Sequence, residues 1–187
     1  MKIAIVIATY QRADGKSPIG LKRALTSIEN QTHQDYKVFV IGDKYEDDRE
    51  LYETCWKFQK VSVINLAYAA ERDKYPKKDY RLFCSGGCNA SLIGIDLAIN
   101  DGFEYVCHLD HDDWWEPDHL FLINQVIEDK NPLFVCTLST HFKSYLPEIP
   151  ITNKVIKFTP SPAGLICSSV CIKYSDTSHT GNANSAI

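Results

Sequence analysis

Residues 104–120 read EYVCHLDHDDWWEPDHL. A short apolar run stops at Asp110, Asp112 and Asp113, and Trp114, Trp115 and Pro117 follow at once. Carboxylates this close repel one another, so the pattern points to a cation held between them. The run EYVCHL has the composition of a strand, and PDHLFLINQVIED behind it has helical spacing with Pro117 near the first turn. A strand feeding a helix across an acidic loop is a unit of an α/β fold, in which ligands gather where the strands end.

The same alternation extends in both directions. KIAIVIA near the N-terminus is β-branched and apolar throughout, which suits a strand buried on both faces. GLKRALTSIENQ places Leu21, Leu25 and Ile28 on one helical face, and the strand YKVFVIG follows. EDDRELYETCWKFQ aligns Leu51, Cys55 and Phe58 with acids in the first turn, where the helix dipole favours them, and VSVINL is a further strand. Residues 69–83 have no period and read as a loop. SGGCNASLIGIDLAINDGF predicts a helix with Ser85 as its N-cap and Gly102 as its stop. PLFVCTLS is another strand. From about Thr140, KVIKFT and GLICSSVCIKY are short β-like pieces broken by prolines. The expectation is a mostly parallel central sheet with helices on both faces and a small C-terminal antiparallel β lobe. The polar tail SDTSHTGNANSAI reads as a mobile loop or a truncated end.

With 187 residues, 44% of them hydrophobic, the chain is long enough for one domain with a sizeable core. A net charge of -4 without a long Lys/Arg run excludes a general nucleic-acid binder. The apolar stretch at the N-terminus is too short for a membrane span and carries no signal-peptide cleavage pattern, so no transmembrane segment and a cytoplasmic location are expected. Seven cysteines, mostly within apolar segments, read as reduced core thiols. No Walker motif is present.

If the backbone stays extended past residue 109, Asp110 and Asp112 project to one side. Two converging carboxylates suit a hard divalent cation, Mg²⁺ or Mn²⁺, completed by phosphate oxygens. Asp113 reads as a turn or cap residue. His108, His111 and Asp112 also match the spacing of an HD-type phosphohydrolase, but those sites are helical and EYVCHL is strand-like.

IVIATYQR, VFVIGDKYED, SGGCNASLIGIDLA and HLDHDDWWEPDHL, in this order, resemble family 2 glycosyltransferases of the GT-A fold over about residues 1–138. The resemblance implies a single Rossmann-like GT-A domain over residues 1–187. Residues 1–113 would form its nucleotide-sugar half and residues 114–187 its acceptor half. It implies an inverting, metal-dependent transfer of sugar from a nucleotide diphospho-sugar, with UDP as the expected nucleotide, to a hydroxyl of a glycan or glycoprotein. Thr9, Tyr10 and Arg12 would lie along the nucleotide, and Asp43 would accept hydrogen bonds from base or ribose. Asn89 matches the asparagine that begins the third helix. Cys88 stands where the family has arginine, so Arg81 or the helix N-terminus would have to serve the phosphates. Asp112 would bind the metal, and Asp110 the ribose or the metal. Of Trp114 and Trp115, one would stack on a sugar and the other anchor the core. The catalytic base is sought at Asp176, with His179 completing the metal shell. A nucleotide-sugar or glycan binding module without a base is the alternative function.

Overall fold

The computed structural model describes residues 1–141, 144–147 and 167–174. Strands β1 (Ile3–Thr9), β2 (Tyr36–Gly42), β3 (Val61–Asn65) and β4 (Tyr105–His108) are parallel and lie in the order β3-β2-β1-β4. β1 is therefore central, with Ile3 opposite Tyr36 on one side and Tyr105 on the other. Its alternate side chains serve two cores, which is why it is apolar at every position. Ile3, Ile5 and Ile7 face α1 (Ser17–Glu29) and α6 (His119–Lys130), where they meet Leu21, Leu25, Ile28, Leu120, Ile123 and Ile127. Ala4 and Val6 face α5 (Cys88–Asn100) through Ala90, Ile95 and Ala98. Each of the large side chains that lies fully inside contributes about 1.5–3 kcal/mol through removal of apolar area from water.

The fit against α5 is close. A Cβ on Gly94 would stand 2.5 Å from Val6 Cγ1, so only glycine lets the helix approach β1 this way. By length and composition the run Tyr80–Asn100, 21 residues with an 18-residue stretch of mean hydropathy 1.5, would suffice to cross a membrane. It is divided at Gly86 and Gly87, however, and its second part packs on β1 and β2.

Several expectations change. Residues 69–83 are largely helical: α3 (Ala70–Lys74) and α4 (Tyr80–Ser85) follow α2 (Asp48–Cys55) and β3, too short to reveal a period in the sequence. Asp79 caps α4 by accepting from Arg81 N at 2.8 Å. Ser85 closes α4, its Oγ donating to the Arg81 carbonyl, and the N-cap of α5 is instead Gly87 with φ of 81°. Pro117 precedes α6, which is entered through Asp118. GLICSSVCIKY does not join a separate lobe. Its described part forms a 3₁₀ turn (Cys167–Ser169) and β8 (Val170–Lys173), which inserts antiparallel into the main sheet between β4 and β5 (Phe134–Cys136). The small antiparallel sheet pairs β6 (Ser139–His141) with β7 (Ser144–Leu146). KVIKFT and the polar tail lie outside the described residues. All seven cysteines are free; Cys55, Cys107 and Cys171 are buried, whereas Cys84, Cys88 and Cys167 are exposed.

Candidate functional site

The strand order turns outward on either side of β1, and in such sheets the ligand crevice is expected beyond the C-terminal ends of the strands there, β1, β2 and β4. Thr9, Asp43 and the acidic loop after β4 meet at this edge. Thr9 is already committed: its hydroxyl shares a 2.7 Å hydrogen bond with Tyr45 and its carbonyl accepts from Asp43 N. It therefore positions Asp43.

Asp43 is 2% exposed. Its Oδ2 accepts from Arg72 Nε at 2.9 Å, and Arg72 also donates to the Asp43 carbonyl. Oδ1 is buried without a hydrogen-bond partner among the described residues. The Arg72 guanidinium lies 5.4 Å from the ring centre of Tyr10, which in turn meets His111 edge-on at 5.6 Å. Glu71, the neighbour of Arg72 on α3, accepts from Asn89 N at 2.8 Å and so satisfies one of the free amides at the start of α5. Glu71 Oε2 and Asn89 Nδ2 are likewise buried without partners. Orphaned buried polar atoms are costly, and their concentration around one crevice marks where a polar ligand belongs. Glu71 and Arg72 were not legible as site residues, because α3 has no periodic signal. Arg81 is not brought into the crevice: it is exposed, pairs with Asp79 at 2.7 Å and stacks on Tyr75.

The acidic loop is not extended. Asp113 N donates to the Asp110 carbonyl at 3.0 Å, closing a turn, so Asp110 and Asp112 do not share a side through strand periodicity. Asp110 keeps a solvent-exposed edge. The protein around it, and then the charges of Asp113 and Asp112, push its pKa up to about 6. Asp112 is half exposed and meets Arg12 at 3.4 Å, while Arg12 also pairs with Asp14. Ser168 holds the loop from the other end of the chain: its Oγ accepts from Asp110 N at 3.0 Å and donates to Asp113 Oδ2 at 2.6 Å. No sequence motif announced Ser168, which reaches the loop only because β8 enters the sheet beside β4.

Asp110 and Asp112 are both exposed on this loop, and Asp112 already meets Arg12, so these two carboxylates are the ones that would hold a divalent cation. Among the described residues no three ligating side chains converge, so phosphate or water oxygens would have to complete the shell.

The tryptophans separate. Trp115 is buried, donates from Nε1 to the Ser168 carbonyl at 2.5 Å and stacks on His119 at 4.2 Å. Burial lowers the His119 pKa to about 3, so that ring stays neutral. Trp114 is 56% exposed, with the Arg23 guanidinium 4.5 Å from its ring centre. Asp176 and His179 lie outside the described residues.

The family model of glycosyl transferase family 2 matches residues 4–164, and the chain belongs to that family. It is 33% identical over 183 residues to R139, an uncharacterized glycosyltransferase of Acanthamoeba polyphaga mimivirus, covering 92% of this chain and 73% of that protein. It is 34% identical over 119 residues to the succinoglycan biosynthesis protein ExoW of Rhizobium meliloti, covering 64% of this chain and 32% of ExoW. Among solved structures, S. aureus TarS 1-349, free and in complex with UDP, superposes with a TM-score of 0.58 at 17% identity, over 92% of this chain and 47% of TarS. The α/β sheet is thus of the GT-A type, and the chain spans about half of that structure and a third of ExoW.

Proposed function

We propose that this chain is a metal-dependent, inverting glycosyltransferase that moves a sugar from a UDP-linked donor to a hydroxyl of a glycan or glycoprotein. The observation that carries the donor reading is Asp43, a buried carboxylate with one oxygen tied to Arg72 and the other without a partner among the described residues. Such an acceptor suits the imide N–H of uracil or a ribose hydroxyl. Tyr10 and Arg72 offer flat faces to the base. Asn89 Nδ2, a buried donor without a partner among the described residues, would suit a ligand with acceptors, and the start of α5 would favour its negative charge. This helix end stands in for the arginine that Cys88 replaces.

Asp112, with Asp110, would hold Mn²⁺ or Mg²⁺. When bound, the cation would neutralise the departing diphosphate. Tyr10 and Arg72 would orient the base, Ser168 would keep the acidic loop in place, and Arg12 would move from Asp112 toward donor phosphate. Asp176 is the proposed base on the acceptor side, and His179 would complete the metal shell.

Calorimetry with UDP and Mn²⁺ tests the donor reading. A carboxylate hydrogen bond contributes on the order of 1.5–3 kcal/mol, so Asp43→Ala is expected to weaken UDP binding roughly tenfold or more. An unchanged dissociation constant would leave Asp43 as a turn residue. Release of UDP from UDP-sugars, lost in Asp176→Asn, separates an enzyme from a binding module; binding without turnover supports the module.

A further inference from the structure

One large open feature lies outside the crevice. A groove of about 700 Å³ runs between α1 and the segment after the acidic loop, lined by Ile19, Lys22, Arg23, Thr26, Trp114 and Pro117 among others. Residues 19, 22, 23 and 26 share the outward face of α1, at helical spacing opposite buried Leu21, Leu25 and Ile28. Ile19 is 71% exposed, and Trp114 forms the facing wall.

The groove is also basic in an acidic protein. Its lining holds two cations, Lys22 and Arg23, and no acid, and like several other surface lysines neither of the two pairs with a carboxylate among the described residues. α1 carries no acid before Glu29, so no acid on the helix lies within a turn of the two cations. Arg23 is not loose: it donates to the Asp112 carbonyl and lies over Trp114. The groove is thereby joined to the loop proposed to hold the metal.

We propose that this groove binds an anionic glycan, the body of the acceptor chain whose end is glycosylated at the neighbouring crevice. The exposed Trp114 ring and Ile19 provide an apolar surface for the flat face of a sugar ring, and Lys22 and Arg23 pair with carboxylate or phosphate groups along the chain. The small hydroxyl of Thr26 leaves room between them for a polymer to lie along the helix. This inference rests on the glycosyltransferase reading and names its acceptor class.

The test titrates the protein with oligogalacturonate, with a neutral malto-oligosaccharide and with oligoglutamate, by calorimetry at low and high salt. UDP affinity is measured in parallel. Oligogalacturonate is expected to bind at least tenfold more tightly than the neutral chain and to weaken with salt. Lys22→Glu and Thr26→Glu, both on the helix surface, are each expected to lower that affinity severalfold or more with UDP affinity unchanged. Trp114→Ala should weaken oligogalacturonate by a similar factor. No binding of oligogalacturonate, equal binding of the neutral chain, equal binding of oligoglutamate, or full affinity in Lys22→Glu would each overturn the proposal. If UDP also fails to bind the unsubstituted protein, the donor reading fails as well; glycan failure with intact UDP binding rejects the groove alone.

Discussion

Arg72 closes on Asp43 from α3, its Nε 2.9 Å from Oδ2, and this pair ties a helix of five residues to the end of a core strand. Asp43 is almost wholly buried whereas Arg72 is about a third exposed. Removing the cation strands a buried carboxylate. Arg72→Ala is therefore expected to cost about 1–3 kcal/mol in urea unfolding. The double variant with Asp43→Asn should recover part of that loss, and a purely additive pair of effects would show that the two groups do not interact.

Asp112 sits on the surface and contributes little packing. Asp112→Ala should leave the thermal midpoint within about a degree or two of the parent, because such surface changes stay within ~0.5 kcal/mol. It should abolish the Mn²⁺-dependent part of UDP binding. Identical UDP titrations of variant and parent, with and without a chelator, would count against a metal at this loop.

Asp110 gives a pH signature. Its folded pKa, about 6, lies above the ordinary 3.8, because partial desolvation by the protein around it and the neighbouring carboxylates disfavour its charge. The folded state thus binds the proton more tightly than the unfolded chain. Its contribution is intact below about pH 4, falls as pH rises toward about 6, and stays lost above that. Asp110→Asn has no such titration, so its stability advantage over the parent should grow between about pH 4 and 6.5 and then level off. A constant difference across that range, followed by circular dichroism melts, would rule this out.

Gly94 tests the packing. Gly94→Val forces methyl groups into the space occupied by Val6 and Ile41, and overpacking of this kind costs typically about 1–3 kcal/mol. Pairing it with Val6→Ala should relieve part of the cost in the same denaturation experiment.

The parts of the fold legible in the sequence were those with a strong period. β1, α1, β2 and α5 each bury a regular face, and burial is what the pattern of apolar residues records. α3 and α4 escaped because five or six residues make barely more than one turn, held by Glu71, Arg72 and Asp79 rather than by an apolar stripe. The site divided in the same way. Asp43, Asp110 and Asp112 stand out as acids at strand ends, while Glu71, Arg72 and Ser168 become neighbours only through tertiary contacts. The acidic loop departs from the extended backbone that would align Asp110 with Asp112, because Asp113 N turns back to the Asp110 carbonyl.

The insertion of β8 between β4 and β5 has a consequence for the order in which the chain can assemble. Cys107 must wait for Cys171, and Val135 for the same residue on its other side. While the polypeptide emerges from a ribosome, the parallel half around β1 can form early, but the open edge of β4 remains an unpaired row of amides and carbonyls until the last of these segments is released. A nascent chain stalled before Val170 would therefore present that edge, together with an acidic loop deprived of Ser168, and would be the form most exposed to chaperones and to pairing with a foreign strand.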